Sequence, residues 1–474
     1  MRYSAYRSLA ASSAALVVGS ALAVPPFAGR PHYGGTLRVE TQAKVMSLHP
    51  SEWPDIAEAE TILKLRELIY DHLVRLDGDG HPQPAIALSW EHDARWAKWR
   101  FQLRSGVKWH DGSALIPEAG LAAFEGMAPG GSVHLAGQTL EIDMGGPRPD
   151  LLSALATAPD LIVHRPAAGS ADTLPVGTGP FRVTEWQPGR RAVFEANEDY
   201  WDGRPFVDKI EVAMGRSSRD QLLDLESDKA DLVELDPGEA RRAQQEGQKV
   251  WASAPVELLA LRFDMNEPVA QDRRWREAVG DSIDRAAIQK VLFQNYGEAT
   301  GSIFPQRLSG YSFLFPVTRN LDRARQLTAE IGTPPTLTLG YDSRDVLARQ
   351  TAERIAVNAR DAGITLLVSP LPQGWRRMPS TGHDSRIERV RIDGSTLREA
   401  VLDAASELQL STGTAEASPE VVYTAERKYL DDLTTIPLVY VPELVGLSPR
   451  VKGWSAMPGG DWRLENVSLE PVKP

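Results

Sequence analysis

Two short runs combine residue types that could do chemistry. His110 and Asp111 are adjacent in KWHDG and offer an imidazole and a carboxylate. Gly177 and Gly179 flank Thr178 in GTGPF, and glycine-rich loops can cradle phosphate when a helix follows. Here Pro180 and the strand-like run FRVTEW follow instead, and Asp111-Gly112 is most simply a turn. Neither run is therefore predicted to be a catalytic, metal or phosphate site.

The rest of the chain excludes the common catalytic constellations. It contains no cysteine and nine scattered histidines, which removes thiolate ligands and cysteine nucleophiles. The patterns G-x-S-x-G, H-E-x-x-H and G-x-G-x-x-G are absent. An exported hydrolase would need one of these or a pair of placed carboxylates. The sequence therefore predicts a protein that is not an enzyme and needs no metal or cofactor.

Length and charge limit the partners. At 474 residues two or three domains are expected, and the net charge of −12 argues against nucleic acid as a partner. Arg2 and Arg7 precede the uncharged run Leu9–Ala23, which ends in a small-x-small site. This pattern is typical of a signal peptide over 1–23, and an uncleaved anchor is the alternative. Without a cysteine for lipid attachment, we expect a free periplasmic protein.

Local patterns predict strands and helices that alternate along the chain. GGTLRVE (34–40) alternates as a half-buried strand, and apolar residues at three- and four-residue steps predict a helix over 57–76. FRVTEW and RAVFEA, separated by QPGR, predict a hairpin. RRWREAVGDSIDRAAIQKVLFQ predicts one long helix over 273–294, and 335–371 reads as a β-α-β unit with parallel strands.

The order of several motifs resembles the extracellular solute-binding proteins, family 5, of peptide and nickel ABC importers. GTGPFRVTEWQPGRRAVFEANEDYWDGRP is similar to the family's G-T-G-P-Y and N-P-D-Y-W signature. GGTLRVE, LIYDHLVRLDGDGHPQPAIALSWE and RFQLRSGVKWHDG precede it, and LRFDMN, RRWREAVGDSIDRAAI, AGITLLV and TIPLVYV follow in the family's order. The resemblance implies that the signature hairpin is structural.

The fold implied by this resemblance is α/β and two-lobed, a periplasmic binding protein-like fold of class II and cluster C-like type. Hinge strands connect the lobes, and the ligand is enclosed as they close. Mapped onto this chain, residues 34–261 and 445–474 form the first lobe, which includes a shortened extra subdomain at about 46–170. Residues 262–444 form the second lobe.

The resemblance also implies which residues line the cleft. In the family, the loop after the first strand contributes from one lobe, and a tryptophan after the strand matched by AGITLLV contributes from the other. A basic residue further along the second lobe is a third contact. The corresponding residues of this chain are Met46, His49, Trp53, Trp375, Arg389 and Arg391. His49 could instead be a solvated loop residue, and Arg391 an exposed strand charge.

Two departures from the family fall on the ligand site. The motif W-x-x-D-Y-x-D-P, whose aspartate pairs with a peptide's amino group in the family, is missing, and nothing in the sequence establishes Asp393 as its substitute. The segment after LIPEAGLAAFE is also shorter than in the family. Burying an ammonium group without a carboxylate is costly, so the ligand class stays open among peptides, nickel chelates, sugars, opines and antibiotics.

The resemblance implies a monomeric periplasmic component that passes a small organic or peptide-like solute to ABC permease subunits. The alternative is a divergent accessory or sensor protein of the same fold that no longer serves transport. The shortened segment favours the alternative, whereas the hinge-like segments near 256 and 440 favour transport.

Overall fold

The computed structural model describes residues 32–50, 56–77, 80–116, 121–128, 130–158, 161–164, 174–332, 336–392, 394, 396–410, 418–456 and 462–471. The expected signal peptide at 1–23, Trp53 and Asp393 lie outside the described residues. Among the described residues no helix combines the length and hydropathy that a membrane span needs.

Strands form three main sheets. In chain order they are β1 Thr36–Glu40, β2 Asp71–His72, β3 Val74–Leu76, β4 Pro82–Pro84, β5 Ala87–His92, β6 Lys98–Leu103, β7 Ser132–Ala136, β8 Thr139–Asp143, β9 Ile162–Val163, β10 Phe181–Gln187, β11 Arg191–Ala196, β12 Lys209–Ala213, β13 Leu232–Glu234, β14 Lys249–Ala252, β15 Glu257–Phe263, β16 Glu298–Ala299, β17 Leu337–Tyr341, β18 Leu366–Pro370, β19 Ser385–Arg391, β20 Thr435–Val441, β21 Leu444–Leu447, β22 Val451–Lys452 and β23 Ser468–Leu469.

Helices pack against these sheets. They are α1 Ile56–Ile69, α2 Leu151–Thr157, α3 Ser218–Glu226, α4 Pro237–Gln245, α5 Pro268–Gln271, α6 Arg273–Ser282, α7 Arg285–Val291, α8 Gln306–Ser309, α9 Leu321–Ile331, α10 Val346–Arg360, α11 Leu397–Leu408 and α12 Pro419–Asp431. Short 3-10 turns occur at Leu121–Ala123, Glu125–Met127, Ser312–Leu314, Trp375–Arg377 and Leu464–Asn466.

The two large sheets build the two lobes. The first has the order β10-β11-β12-β1-β13-β21-β14, and β1 lies parallel to β12 and β13. The second has the order β16-β20-β15-β19-β17-β18, with β17 parallel to β18 and β19. The predicted hairpin and β-α-β unit are thus confirmed. A four-stranded sheet, β5-β6-β8-β7, has a separate apolar core around Trp99 and Trp109.

The chain passes between the large sheets at 253–256 and again at Pro442 and Glu443. β14 pairs in the first sheet and β15 in the second, while β20 pairs in the second and β21 in the first. Residues 257–261, which the sequence assigned to the first lobe, therefore pair within the second sheet. The reason is that β15 runs unbroken from Glu257 to Phe263 between β19 and β20.

Two predicted helices are wrong in extent. α1 ends at Ile69 rather than near residue 76, because Asp71 enters a short strand and its buried carboxylate accepts hydrogen bonds from three side chains. The long helix predicted over 273–294 is broken at Ile283. Asp284 caps a new helix, α7, by accepting a hydrogen bond from the backbone amide of Ala287 at 2.9 Å.

The GTG run of the signature motif packs against the end of α1. The backbone amide of Gly179 donates to the Ile69 carbonyl at 2.8 Å. A Cβ on Gly177 would lie 1.9 Å from the same carbonyl oxygen, so a side chain there would clash with backbone. Thr178, Tyr200 and Trp201 donate to the Asp71 carboxylate at 2.7, 3.0 and 3.0 Å. The signature therefore holds the first lobe together.

Candidate functional site

The two segments at which the chain crosses between the lobes are hydrogen-bonded to each other. The Ser253 amide donates to the Glu443 carbonyl at 3.0 Å, and the Glu443 amide donates to the Ser253 hydroxyl at 2.9 Å. The Val256 amide donates to the Val441 carbonyl at 3.2 Å. Two paired segments of this kind can act as a hinge between rigid sheets. They also place the side chain of Glu443 between the lobes.

Four charged side chains meet at this hinge, and we call them the hinge cluster: Glu60, Lys64, Arg391 and Glu443. The Lys64 ammonium lies 2.5 Å from Glu60 and 2.7 Å from Glu443. Arg391, at the end of β19 in the second lobe, lies 3.3 Å from both carboxylates. Because Glu60 and Lys64 belong to α1 of the first lobe, the cluster joins the two lobes electrostatically.

Burial and the neighbouring charges together set the pKa values of the hinge cluster. Burial and the neighbouring Glu60 carboxylate raise the pKa of Glu443 to about 8. Burial acts to lower the pKa of Lys64, but attraction by Glu443 and Glu60 outweighs it and raises that pKa. At the end of β13, burial raises the pKa of Glu234 to about 7, although Lys64 opposes this. The cleft thus contains carboxyl groups that titrate near neutrality.

Arg389, two residues before Arg391 on β19, forms a second set of ion pairs beside the hinge cluster. The Arg389 guanidinium contacts Glu257 and lies 2.5 Å from Asp345, which also caps α10 by accepting from the Ala348 amide at 2.9 Å. Asp236 of the first lobe acts on Arg389 electrostatically. Arg389 and Arg391 are therefore neutralised by carboxylates of this chain, and neither is simply an exposed strand charge.

Trp375 lies in a 3-10 turn after β18, at the carboxyl edge of the parallel strands β17 and β18. Ligands of open α/β sheets bind at this edge. Its side chain is only 6% exposed. The Arg376 and Arg386 guanidinium groups lie 4.5 and 5.4 Å from its ring centre, and its indole N–H points to Asp342 at 3.5 Å. Two guanidinium groups therefore make cation–π contacts with its ring.

The first-lobe residues expected at the cleft lie on the loop between β1 and α1. Met46 is 58% exposed, and its sulfur lies near Gly189 of the signature hairpin. His49 is half-buried, and its carbonyl accepts a hydrogen bond from the Arg66 guanidinium. The loop is thus tied to both α1 and the hairpin.

Sequence reasoning missed Glu60, Lys64 and Glu443. A signal was present for Lys64: it is a lysine between Leu63 and Leu65 within the apolar pattern of α1, and it is 2% exposed. Lysine at such a position is rarely buried unless it is paired. Within the described ranges, no group of three or more histidine or carboxylate side chains is placed to hold a metal ion.

Comparison with known proteins identifies the family of this chain. Residues 81–393, more than half of the chain, match the bacterial extracellular solute-binding proteins, family 5 middle region. The chain belongs to this family. Its structural neighbours are two-lobed binding proteins of the same kind, which confirms the fold class predicted from the motif order.

Similarity to individual relatives is low but extended. The nickel-binding protein NikA of Staphylococcus aureus is 24% identical over 334 residues, 67% of this chain and 67% of the relative. The nickel-binding periplasmic protein of Escherichia coli is 22% identical over 63% of this chain and 65% of the relative. These alignments span about two thirds of each relative. The structure of NikA from Brucella suis with Fe(III)-EDTA superposes with a TM-score of 0.78 at 18% identity, covering 92% of this chain and all of that chain.

Proposed function

We propose that this protein is the periplasmic substrate-binding component of an ABC importer, which captures a small organic solute between its lobes and delivers it to a membrane permease. One observation carries the proposal: two sheets meet at a pair of hydrogen-bonded crossing segments, and charged side chains of both lobes converge there. Such a hinge lets a permease distinguish loaded protein from empty protein. We expect no catalytic activity.

The ligand-binding residues that we propose come from both lobes. Trp375, Arg389 and Arg391 would contribute from the second lobe, and the loop with Met46, His49 and Trp53 from the first. Pockets for small solutes combine aromatic walls with a few placed polar groups. Since Arg391 already contacts Glu60 and Glu443, an incoming anionic group would have to exchange with these carboxylates. This would couple ligand binding to the hinge.

The ligand class is proposed as a small solute, peptide-like or related. Relatives are named for nickel and dipeptides. The missing W-x-x-D-Y-x-D-P motif argues against the family's usual pairing with a peptide amino group. We further propose that residues 1–23 are a signal peptide cleaved after Ala23. The protein would then be exported to the periplasm without a lipid anchor and would be monomeric.

Native mass spectrometry of the protein purified gently from its own periplasm tests the function. We expect a discrete additional mass that disappears on unfolding and gives the solute class directly. A bare protein mass, followed by no thermal shift with peptides, sugars, opines and metal chelates, would contradict transport. The accessory or sensor role would then be the better account.

Trp375→Phe tests the ligand site once the solute is known. The smaller ring retains much of the packing but loses the N–H and part of the cation–π surface, so affinity should fall by about tenfold. Trp186→Phe, in the signature hairpin and packed on the first-lobe core, is the matched control and should leave affinity unchanged. Equal affinity in both variants would remove Trp375 from the site.

A further inference from the structure

A second pocket lies within the second lobe, away from the hinge. Its volume is about 440 Å³, and α6, α12, the segment 314–318 and the start of β20 enclose it. Ile436 lines the pocket, whereas Val441 at the other end of β20 adjoins the hinge. They are five residue steps apart along the strand, which is about 16 Å at 3.3 Å per step. This pocket is therefore distinct from the interlobe cleft.

Arg285 is the buried cation of this pocket. Its residue is 9% exposed, and its Nε donates to the Pro437 carbonyl at 2.7 Å. Across the described part of the chain, its terminal nitrogens have no hydrogen-bond acceptor and no carboxylate within ion-pair distance. A guanidinium has five N–H donors, and a buried one is almost always paired. Burial lowers the pKa of Arg285 to about 10, although attraction by Asp281 opposes this.

Asp281 is the matching anion. It lies four residues before Arg285, on α6 and across the break at Ile283, and it lines the same pocket. The two groups act on each other electrostatically without an ion-pair contact. Neighbouring Glu277 is already engaged, because Arg273 lies 2.8 Å and Arg323 3.2 Å from its carboxylate. Asp281 has no such partner among the residues that the structure describes. The pocket thus presents one unpaired cation and one unpaired anion.

Apolar and aromatic side chains also line the pocket. The rings of Phe315 and Tyr423 meet edge-on with centres 5.6 Å apart. Arg427, one helical turn after Tyr423 on α12, adds a second cation to the lining. Leu433 lines the pocket with φ of 54°, a left-handed backbone that is unfavourable for a leucine. Strained residues of this kind cluster at functional sites.

We propose that this pocket is a second binding site, for a free amino acid with an aromatic or large apolar side chain. Its carboxylate would accept hydrogen bonds from the terminal nitrogens of Arg285, and Arg427 would add attraction. Its ammonium group would pair with Asp281, and its side chain would lie against Phe315 and Tyr423. The volume lies in the range of roughly 300–1,000 Å³ that small-molecule sites occupy.

Isothermal titration calorimetry of the full chain with L-phenylalanine tests this site. Benzoate and phenethylamine, which each retain one of the two charges, are the comparison probes. We expect saturable binding of L-phenylalanine and weaker binding of both fragments. Asp281→Asn and Arg285→Lys should each weaken binding about tenfold or more. The first removes the charge that pairs with the ammonium group, and the second replaces the forked guanidinium by a single ammonium that cannot bind a carboxylate at two points. Arg349→Gln, on the exposed face of α10, should bind as the unmodified protein does.

Arg391→Met separates this site from the interlobe cleft and should leave L-phenylalanine binding intact. Loss of binding in Arg391→Met would overturn the proposal, because the amino acid would then occupy the cleft. Absence of saturable binding up to about 10 mM, roughly tenfold above a Kd of 1 mM, would also overturn it. Unchanged affinity in Asp281→Asn or in Arg285→Lys would overturn it as well, provided that the variant retains the circular dichroism spectrum of the folded protein. Absent binding, or unchanged affinity in the two pocket variants, leaves the proposed transport function untouched, whereas loss of binding in Arg391→Met would assign the amino acid to the cleft.

Discussion

Replacing Lys64 by methionine should destabilise the protein through the two carboxylates that it now neutralises. The lysine is 2% exposed and lies 2.5 and 2.7 Å from Glu60 and Glu443, whose side chains are 34% and 10% exposed. Removing one partner of a buried ion pair costs about 3–5 kcal/mol. Because Glu60 is partly solvated and Arg391 remains beside both carboxylates, we expect a loss at the lower end, about 3 kcal/mol.

The loss of stability in Lys64→Met should be larger at higher pH. The pKa of Glu443 is raised from its ordinary value of 4.5 to about 8, so its contribution is present below pH 4.5 and is lost as pH rises through 8. Without Lys64 that pKa must rise further. At about pH 9 the unfolded chain ionises this carboxyl group freely, whereas the folded variant must either keep it protonated or bury an uncompensated charge. Neither cost arises at about pH 6, where the group is protonated in the folded protein, so Lys64→Met should cost more at the higher pH.

Urea unfolding of Lys64→Met, Glu443→Gln and the double variant at the two pH values provides the assay. The double variant should lose less than the sum of the single variants, because no uncompensated charge remains at residue 443. Lys229→Met removes a 72% exposed lysine and should change stability by no more than about 0.5 kcal/mol. A loss below about 1 kcal/mol for Lys64→Met, or equal losses at both pH values, would refute the reasoning.

Three further changes test the first lobe by denaturant unfolding. Asp71→Asn should cost about 2–4 kcal/mol, because an amide cannot accept all three hydrogen bonds; a neutral effect would contradict this. Gly177→Ala should prevent stable folding, because its Cβ would lie 1.9 Å from the Ile69 carbonyl, whereas Gly238→Ala has open space and should fold normally. Burial lowers the pKa of His72 to about 4, so stability should fall as pH drops from 6.5 through 4, and His72→Gln should flatten that slope.

The hairpin and the β-α-β unit were predictable because their signals lie in local sequence patterns. Alternation in FRVTEW and RAVFEA, with Pro-Gly between them, predicted the hairpin that β10 and β11 form, and Gly189 supplies the left-handed turn at φ 67°. The β-α-β unit was predictable for the same reason, since its helix and strands each have a clear period. These signals depend on residues a few positions apart.

The ends of two helices were predicted wrongly because contacts between residues far apart in the sequence decide them. α1 ends at Ile69 although its apolar spacing continues, because Asp71 accepts hydrogen bonds from Thr178 and Tyr200, which are 107 and 129 residues away. The helix predicted over 273–294 breaks at Ile283, where distant residues take up the freed backbone groups. The Ser282 carbonyl accepts a hydrogen bond from Arg319 at 2.7 Å, and the Asp284 amide donates to the Asn358 side chain at 3.1 Å. Spacing along the chain carries no information about partners of this kind.

The sequence by itself determined the family and the two-sheet α/β fold, because motif order and hydrophobic period can be read directly from the order of the residues. Only the tertiary structure decided the electrostatics of the cleft. Arg389 and Arg391 looked alike in the sequence, yet one is held by Glu257 and Asp345 within its own lobe and the other joins the hinge cluster. The pKa of a buried charge depends on distances and burial, and these exist only after the lobes have folded and met.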